Sequence, residues 1–289
     1  MTVATSWLFV PGDRPDRIVK AVGGEADRAI VDLEDAVAAS AKERARETAA
    51  QGILAAPRDG ARVGVRVNAV ATGLFEDDIA ALIPVWPLLD AVVLPMVPDA
   101  LTVRRAALSM ARADTAAGTR RAGPRLIPQI ETAQGVLAAH DVAAAHPRVL
   151  TLAFGPADLS NELGVTPSAE GVELLHARSR LILAAAAARR TAPVDGPWLN
   201  LDDLDGLRRS TEEARRLGFS GKQVIHPKQI ATVHEVFAVS ASELAWARTV
   251  DEAFTEAERR GVSSIRLPDG TFVDYPVAHR ARTLLARAR

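Results

Sequence analysis

A regular alternation constrains this chain more than any single motif. Eight short apolar runs fall near residues 6–10, 28–33, 62–67, 91–96, 125–130, 149–154, 192–195 and 221–226, with helical patterns between them. Most of these runs are too short for helices and are rich in Val, Ile and Leu, as strands buried on both faces are. Helices are expected over 41–54, 132–145 and 172–190, and another over 211–217 that ends at Gly218. Eight strand–helix units in series predict an α/β, TIM-type (β/α)8 barrel over residues 1–240, with a doubly wound open sheet as the competing arrangement. Neither GxGxxG nor GxxxxGK[ST] follows an early strand, which weighs against a nucleotide-binding sheet. Residues 241–289 fall outside the eight-unit count. They read as a helix to about 260, a hairpin over 261–276 with its turn at Asp269–Gly270, and a last helix from about Val277. This helix–hairpin–helix extension is expected to act as a lid, an oligomer arm, or both.

Composition narrows the partners. The formal net charge of −1 over 289 residues gives no broad basic field for nucleic acid or anionic membrane. Without cysteine there is no disulfide, zinc–thiolate site or cysteine nucleophile. No apolar run approaches the roughly 18 residues of a membrane span, and residues 1–30 lack a signal-peptide pattern. A cytoplasmic protein is the default expectation. The apolar stretch from Leu181 is short, flanked by Arg180 and Arg189, and reads as a buried helix.

Polar residues cluster after the runs, where a parallel barrel gathers its active site. Glu131 ends LIPQIE, and Asp158 follows the run before GPAD, 27 positions later, about one strand–helix unit. Two carboxylates on adjacent strands, with room for water and ligand oxygens, suit Mg²⁺. Either acid alone could simply favour a helix N-terminus. Arg66 sits at a buried strand end and needs an anionic partner, either Glu34 or Asp35 or a substrate carboxylate. Glu34 and Asp35 are candidate supporting groups around the metal. Asp195 and His226 also end strands and are expected on the same rim, but position alone does not give them chemistry. Arg14, Arg17 and Lys20 form a basic cluster near the expected barrel mouth, which suits phosphate groups.

Taken together, LFVPGDRPDR (8–17), AIVDLEDAV (29–37), GVRVN (64–68), VVLPMV (92–97), LIPQIETAQG (126–135), AFGPADLS (153–160), HARSRLILAA (176–185), GFSGKQVIHPKQI (218–230) and DGTFVDYP (269–276) run in one order over nearly the whole chain. In this the chain resembles the citrate lyase β-subunit-like (CitE-like) proteins of the HpcH/HpaI aldolase/citrate lyase family. The resemblance implies a TIM-like barrel and Mg²⁺-dependent cleavage or formation of a carbon–carbon bond between an acyl-CoA thioester and a 2-oxo acid. Citramalyl-CoA, malyl-CoA and citryl-CoA are the typical compounds. By the same resemblance, Glu131 and Asp158 match the metal ligands, Arg66 the active-site arginine, and the backbone at Ala157–Asp158 the seat of the 2-oxo acid carboxylate. Asp274 matches a lid aspartate that serves as acid/base, and the basic cluster at Arg14, Arg17 and Lys20 would meet CoA phosphates. Homotrimers or hexamers are implied as well.

Two positions depart from the family pattern. Ala157 stands where a Glu often precedes the metal aspartate, and Tyr275 follows Asp274 where a small residue is common. Three further readings stay open beside the lyase: a malyl-CoA-type thioesterase, a CoA-independent 2-oxo acid aldolase, and a β subunit working within a citrate lyase complex.

Overall fold

In the computed structural model, which describes residues 4–119, 123–168 and 170–287, the alternation closes on itself. The strand β1 (Ser6–Pro11) leads into α1 (Pro15–Val22), β2 (Arg28–Asp32) into α2 (Lys42–Ala55), and β3 (Arg62–Arg66) into α3 (Phe75–Leu82). Next, β4 (Ala91–Leu94) is followed by α4 (Ala100–Ala116), and β5 (Arg125–Ile130) by α5 (Ala133–Leu137) and α6 (Ala139–Ala144). Then β6 (Ala153–Phe154) precedes α7 (Pro156–Leu163) and α8 (Leu175–Ala187), β7 (Val194–Asp195) precedes α9 (Leu204–Leu217), and β8 (Gly221–Val224) precedes α10 (Ile230–Phe237). All eight strands are parallel, and β1 pairs with both β2 and β8. The barrel expectation holds, and the open-sheet alternative falls.

Strand parity explains the core. Side chains alternate faces along a strand. Trp7, Ile30, Ala91, Val93, Ile127, Ala153 and Val194 form one buried cluster, which fills the barrel. The intervening positions, such as Leu8, Val31, Val65, Val92, Leu126 and Val224, belong to the larger cluster under the helices. Burying one such aliphatic side chain stabilises by roughly 2 kcal/mol. Following the same parity toward the C-terminal strand ends puts Asp32, Arg66, Gln129 and Glu131 on the inward face.

Two strands start later than expected. In the sixth run only Ala153–Phe154 joins the sheet, while Val149 makes an isolated bridge to Leu126. The Thr151 hydroxyl between them donates to the carbonyls of Thr191 and Ala192. In the seventh, Pro193 has no N–H to give a ladder, and pairing starts at Val194. The single helix expected over 132–145 is two, because Ala138 at φ −90°, ψ 6° ends α5 and opens α6.

The chain forms two compact units, one running through Phe237 and one beginning at Ala238. The second contains α11 (Ala241–Arg259), the antiparallel pair β9 (Ser264–Arg266) and β10 (Phe272–Asp274), and α12 (Tyr275–Arg287). Ser240 and Glu243 open α11 with a reciprocal capping box. Gly270, at φ +91°, makes the hairpin turn at a conformation that disfavours residues with a Cβ. Val250, Phe254, Val273 and Ala281 give this unit its own core, with Tyr275 set edge-on to Phe254 at 5.2 Å. Residues 1–3 and 288–289, the outer ends of the two expected segments, lie outside the described residues.

Candidate active site

The inward residues at the C-terminal strand ends build an acidic cluster around one arginine. Asp32 and Arg66 are register partners on β2 and β3. The Arg66 fork donates to both Asp32 oxygens, Nε to Oδ1 at 2.8 Å and Nη2 to Oδ2 at 2.6 Å. Asp32 also accepts the Glu34 and Ala36 amides, which folds the loop after β2 back over the strand end. Lys42 secures that loop by donating to the carbonyls of Leu33 and Glu34. Arg66 lies over the Phe9 ring at 5.1 Å. Burial opposes its charge, yet the hydrogen bonds to Asp32 and the charges of Asp32, Glu34 and Asp35 raise its pKa.

Glu34 lies inside this cluster, its Oε2 2.9 Å from Arg66 Nη1. The pair lacks hydrogen-bond geometry, and the oxygen is buried without a hydrogen-bond partner. Burial pushes the Glu34 carboxyl up to about 8; Arg66 opposes the shift, and the charges of Glu131, Asp35 and Asp32 add to it. Asp35 is mostly exposed, 3.8 Å from Arg66.

Glu131 follows β5 and is almost wholly buried, at 1% exposure. One oxygen accepts the Met96 amide at 2.6 Å, and the other accepts the Gln129 side-chain amide. Burial raises its pKa to about 7 against these bonds, and the nearby charge of Asp158 adds to the rise. Asp158 lies in the first turn of α7. That helix opens at Gly155–Pro156 with no side-chain cap, which leaves first-turn amides free for an anion. Gly155 is required by close approach: a Cβ there would stand 2.2 Å from Glu131 Oε2.

The structure therefore brings Glu34, Asp35, Arg66, Glu131 and Asp158 together. Asp195 does not join them. It points outward from β7 into a buried ion network with Arg178 and Lys222 under α8 and α9. The expectation that it rims the barrel mouth is corrected by parity, since Val194 takes the inward position. A cavity of about 700 Å³ beside this network is walled by α7, α8, α9 and the loop after β7, and its lining includes neither Glu131 nor Arg66. The His226 ring accepts the Lys228 amide and caps a turn over Pro227–Gln229. Arg14, Arg17 and Lys20 are exposed at and along α1. In the C-terminal unit, Asp274 Oδ1 accepts the Val277 amide at 3.2 Å, capping α12. Gln129 and Met96 belong to the site but are not singled out by the sequence pattern, which places Asp32 on the rim without giving it a role. Asp32 has a visible signal, a second acid two positions before Glu34, and Gln129 has a similar one as a polar residue two positions before Glu131.

The cluster suits a divalent cation. Two buried carboxyls with raised pKa values and one orphan oxygen share a single arginine, so the pocket holds more acidic groups than its own cation neutralises. Among the described residues no three His, Asp or Glu side chains form a metal cage. Mg²⁺ needs none, since it is commonly held by one or two carboxylates with water and substrate oxygens.

The sequence pattern of the HpcH/HpaI aldolase/citrate lyase family matches residues 5–227. The chain belongs to that family. It is 35% identical to the (3S)-malyl-CoA thioesterase of Cereibacter sphaeroides, over 98% of this chain and 94% of that protein. It is 31% identical to human mitochondrial citramalyl-CoA lyase, over 97% of this chain and 84% of that protein. Among solved structures it resembles CitE from Mycobacterium tuberculosis, in complex with magnesium, acetoacetate and coenzyme A. That match has a TM-score of 0.80 and 32% identity, covering 99% of this chain and 98% of the other.

Proposed function

We propose that this chain is a Mg²⁺-dependent lyase that cleaves or forms the carbon–carbon bond of a 3-hydroxyacyl-CoA of the citramalyl- or malyl-CoA type. Its products in the cleavage direction are an acyl-CoA and a 2-oxo acid. The observation that carries this reading is the pairing of Glu131 and Asp158, close enough for their charges to couple, beside Arg66 at the C-terminal strand ends. Glu131 and Asp158 would hold the ion, which supplies Lewis-acid stabilisation of developing negative charge. The uncapped first turn of α7 at Ala157–Asp158 receives the 2-oxo acid carboxylate. Arg66, kept protonated and pinned by Asp32, offers its remaining N–H groups to an oxygen on which charge develops. Glu34, inside the cluster, and Asp35, at its exposed edge, would support the metal ligands through Arg66.

In the cleavage direction the substrate β-hydroxyl loses its proton, the carbon–carbon bond breaks, and the acyl-CoA leaves as its enolate. Asp274, on the lid, would accept that proton and return it to the enolate carbon to give the acyl-CoA, and Arg14, Arg17 and Lys20 would meet the CoA phosphates. The C-terminal unit would serve as lid and oligomer arm within a homotrimer or hexamer.

A thioesterase is the second reading, favoured by the 35% identity to (3S)-malyl-CoA thioesterase. The deciding experiment incubates the protein with malyl-, citramalyl- and citryl-CoA, with Mg²⁺ and with EDTA. Mg²⁺-dependent appearance of a 2-oxo acid with acyl-CoA is expected. Free CoA with an intact hydroxy acid would establish the thioesterase instead. No turnover on any thioester would overturn both readings.

A further inference from the structure

Glu131 is as enclosed as Asp32, each at 1% exposure, and barrel stability does not explain the way it is enclosed. Its two oxygens are each taken by one N–H donor. Oε1 faces the Met96 amide and Oε2 faces the Gln129 side chain, two residues earlier on the same strand and the same inward face. Both donors are unusual. Met96 donates from a left-handed backbone, at φ +52°, that residues with a Cβ rarely adopt. Gln129 is buried to 3% exposure and spends its amide nitrogen on Glu131, while its own carbonyl oxygen has no partner. The reverse amide orientation would set two acceptor oxygens against each other. A buried carbonyl without a partner costs stability, so the amide is oriented to serve the Glu131 oxygen at the expense of its own acceptor. Gly155 closes the third side, where any Cβ would strike Glu131 Oε2.

We infer that Gln129 is a positioning residue for the metal carboxylate. With the Met96 amide it fixes the rotamer of Glu131 before a cation arrives, and the orphan carbonyl is the cost of that donor. The inference rests on the reading of Glu131 as a Mg²⁺ ligand. It extends that reading to the group behind the ligand, where outer partners commonly change metal affinity roughly 10- to 100-fold.

The test measures Mg²⁺ binding by titration calorimetry on the metal-free full-length chain, together with thermal unfolding. Gln129→Met removes the donor and the orphan acceptor at nearly constant volume. It is expected to weaken Mg²⁺ binding at least tenfold while the metal-free melting temperature stays within a few degrees, because removing the orphan carbonyl offsets the Glu131 oxygen left without its donor. A merely structural glutamine would show the opposite, a lower melting temperature with unchanged affinity. Gly155→Ala reaches the same oxygen by another route, pushing it off Gln129, and should also weaken binding about tenfold. Glu131→Ala should bind no Mg²⁺. If Glu131→Ala binds like the unmodified protein, the metal reading itself fails. If it loses the ion while Gln129→Met and Gly155→Ala bind within twofold of the unmodified protein, the positioning inference alone is overturned.

Discussion

Asp195 and Glu131 are both buried acids at or just past barrel strand ends, and their partners separate their roles. Asp195 is fully paired, accepting from Arg178 and, at 2.7 Å, from Lys222 Nζ. Burial lowers the Lys222 pKa, and the charge of Asp195 counters it. Removing one partner of such a network leaves an uncompensated buried charge, at about 3–5 kcal/mol. Asp195→Asn is therefore expected to lower unfolding free energy by about that much in urea titration. Glu131 is held by two N–H donors yet has no paired cation of its own. Glu131→Ala should abolish Mg²⁺-dependent turnover in a protein that still unfolds cooperatively, and Asp158→Ala should do the same. Substantial activity in either variant would remove that residue from the metal site. The sequence makes both acids visible but not the difference between them, because a one-residue change of parity sends Asp195 to the helix side and Glu131 into the barrel.

At the scale of elements, hydrophobic period and turn chemistry were legible. The barrel strands, the glycine-capped α9 and the Asp-Gly hairpin all follow local rules that tertiary context leaves intact. What stayed hidden was long-range hydrogen bonding, such as that of the Thr151 hydroxyl to carbonyls some 40 residues away. Asp274 shows how an element can mask chemistry. Its carboxylate caps α12, a sufficient reason for an aspartate there without any reaction. Asparagine caps a helix about as well as aspartate but cannot accept a proton as a base. Asp274→Asn should therefore keep the melting temperature within a degree or two while slowing turnover at least tenfold. Asp274→Ala should slow turnover and also cost roughly 1 kcal/mol. Full activity in Asp274→Asn would leave the residue as a cap and nothing more.

For the whole molecule, no described helix is long and apolar enough to cross a membrane, and the net charge of −1 leaves local fields in control. Those fields give stability two separate pH limbs. On the acid side, Asp27 binds Thr5 and Ser6 at the N-terminal end of the barrel. Burial pushes its carboxyl up, but those hydrogen bonds and the charge of His234 win and hold it below the ordinary aspartate range. A depressed folded pKa gives stability that is present above the unfolded value and lost as pH falls through the folded one. The active site works in the opposite sense. Glu34 at about 8 and Glu131 at about 7 lie above the ordinary glutamate value of 4.5. Between pH 4.5 and 8 the folded protein binds more protons at these two acids than the unfolded chain does, so their contribution to stability falls as pH rises across that window and then levels. A tenfold difference in proton affinity between the folded and unfolded states is worth about 1.4 kcal/mol. Because the charge of Glu131 also contributes to the rise at Glu34, the two effects are not independent, and together they are on the order of a few kcal/mol. A divalent cation replaces those protons. The metal-free protein should thus melt lower at pH 8 than at pH 6, and saturating Mg²⁺ should raise the melting temperature more at pH 8 than at pH 6. A Mg²⁺ effect on melting that is flat or larger at pH 6 would mean that the acids hold no cation, whatever the activity assay returns.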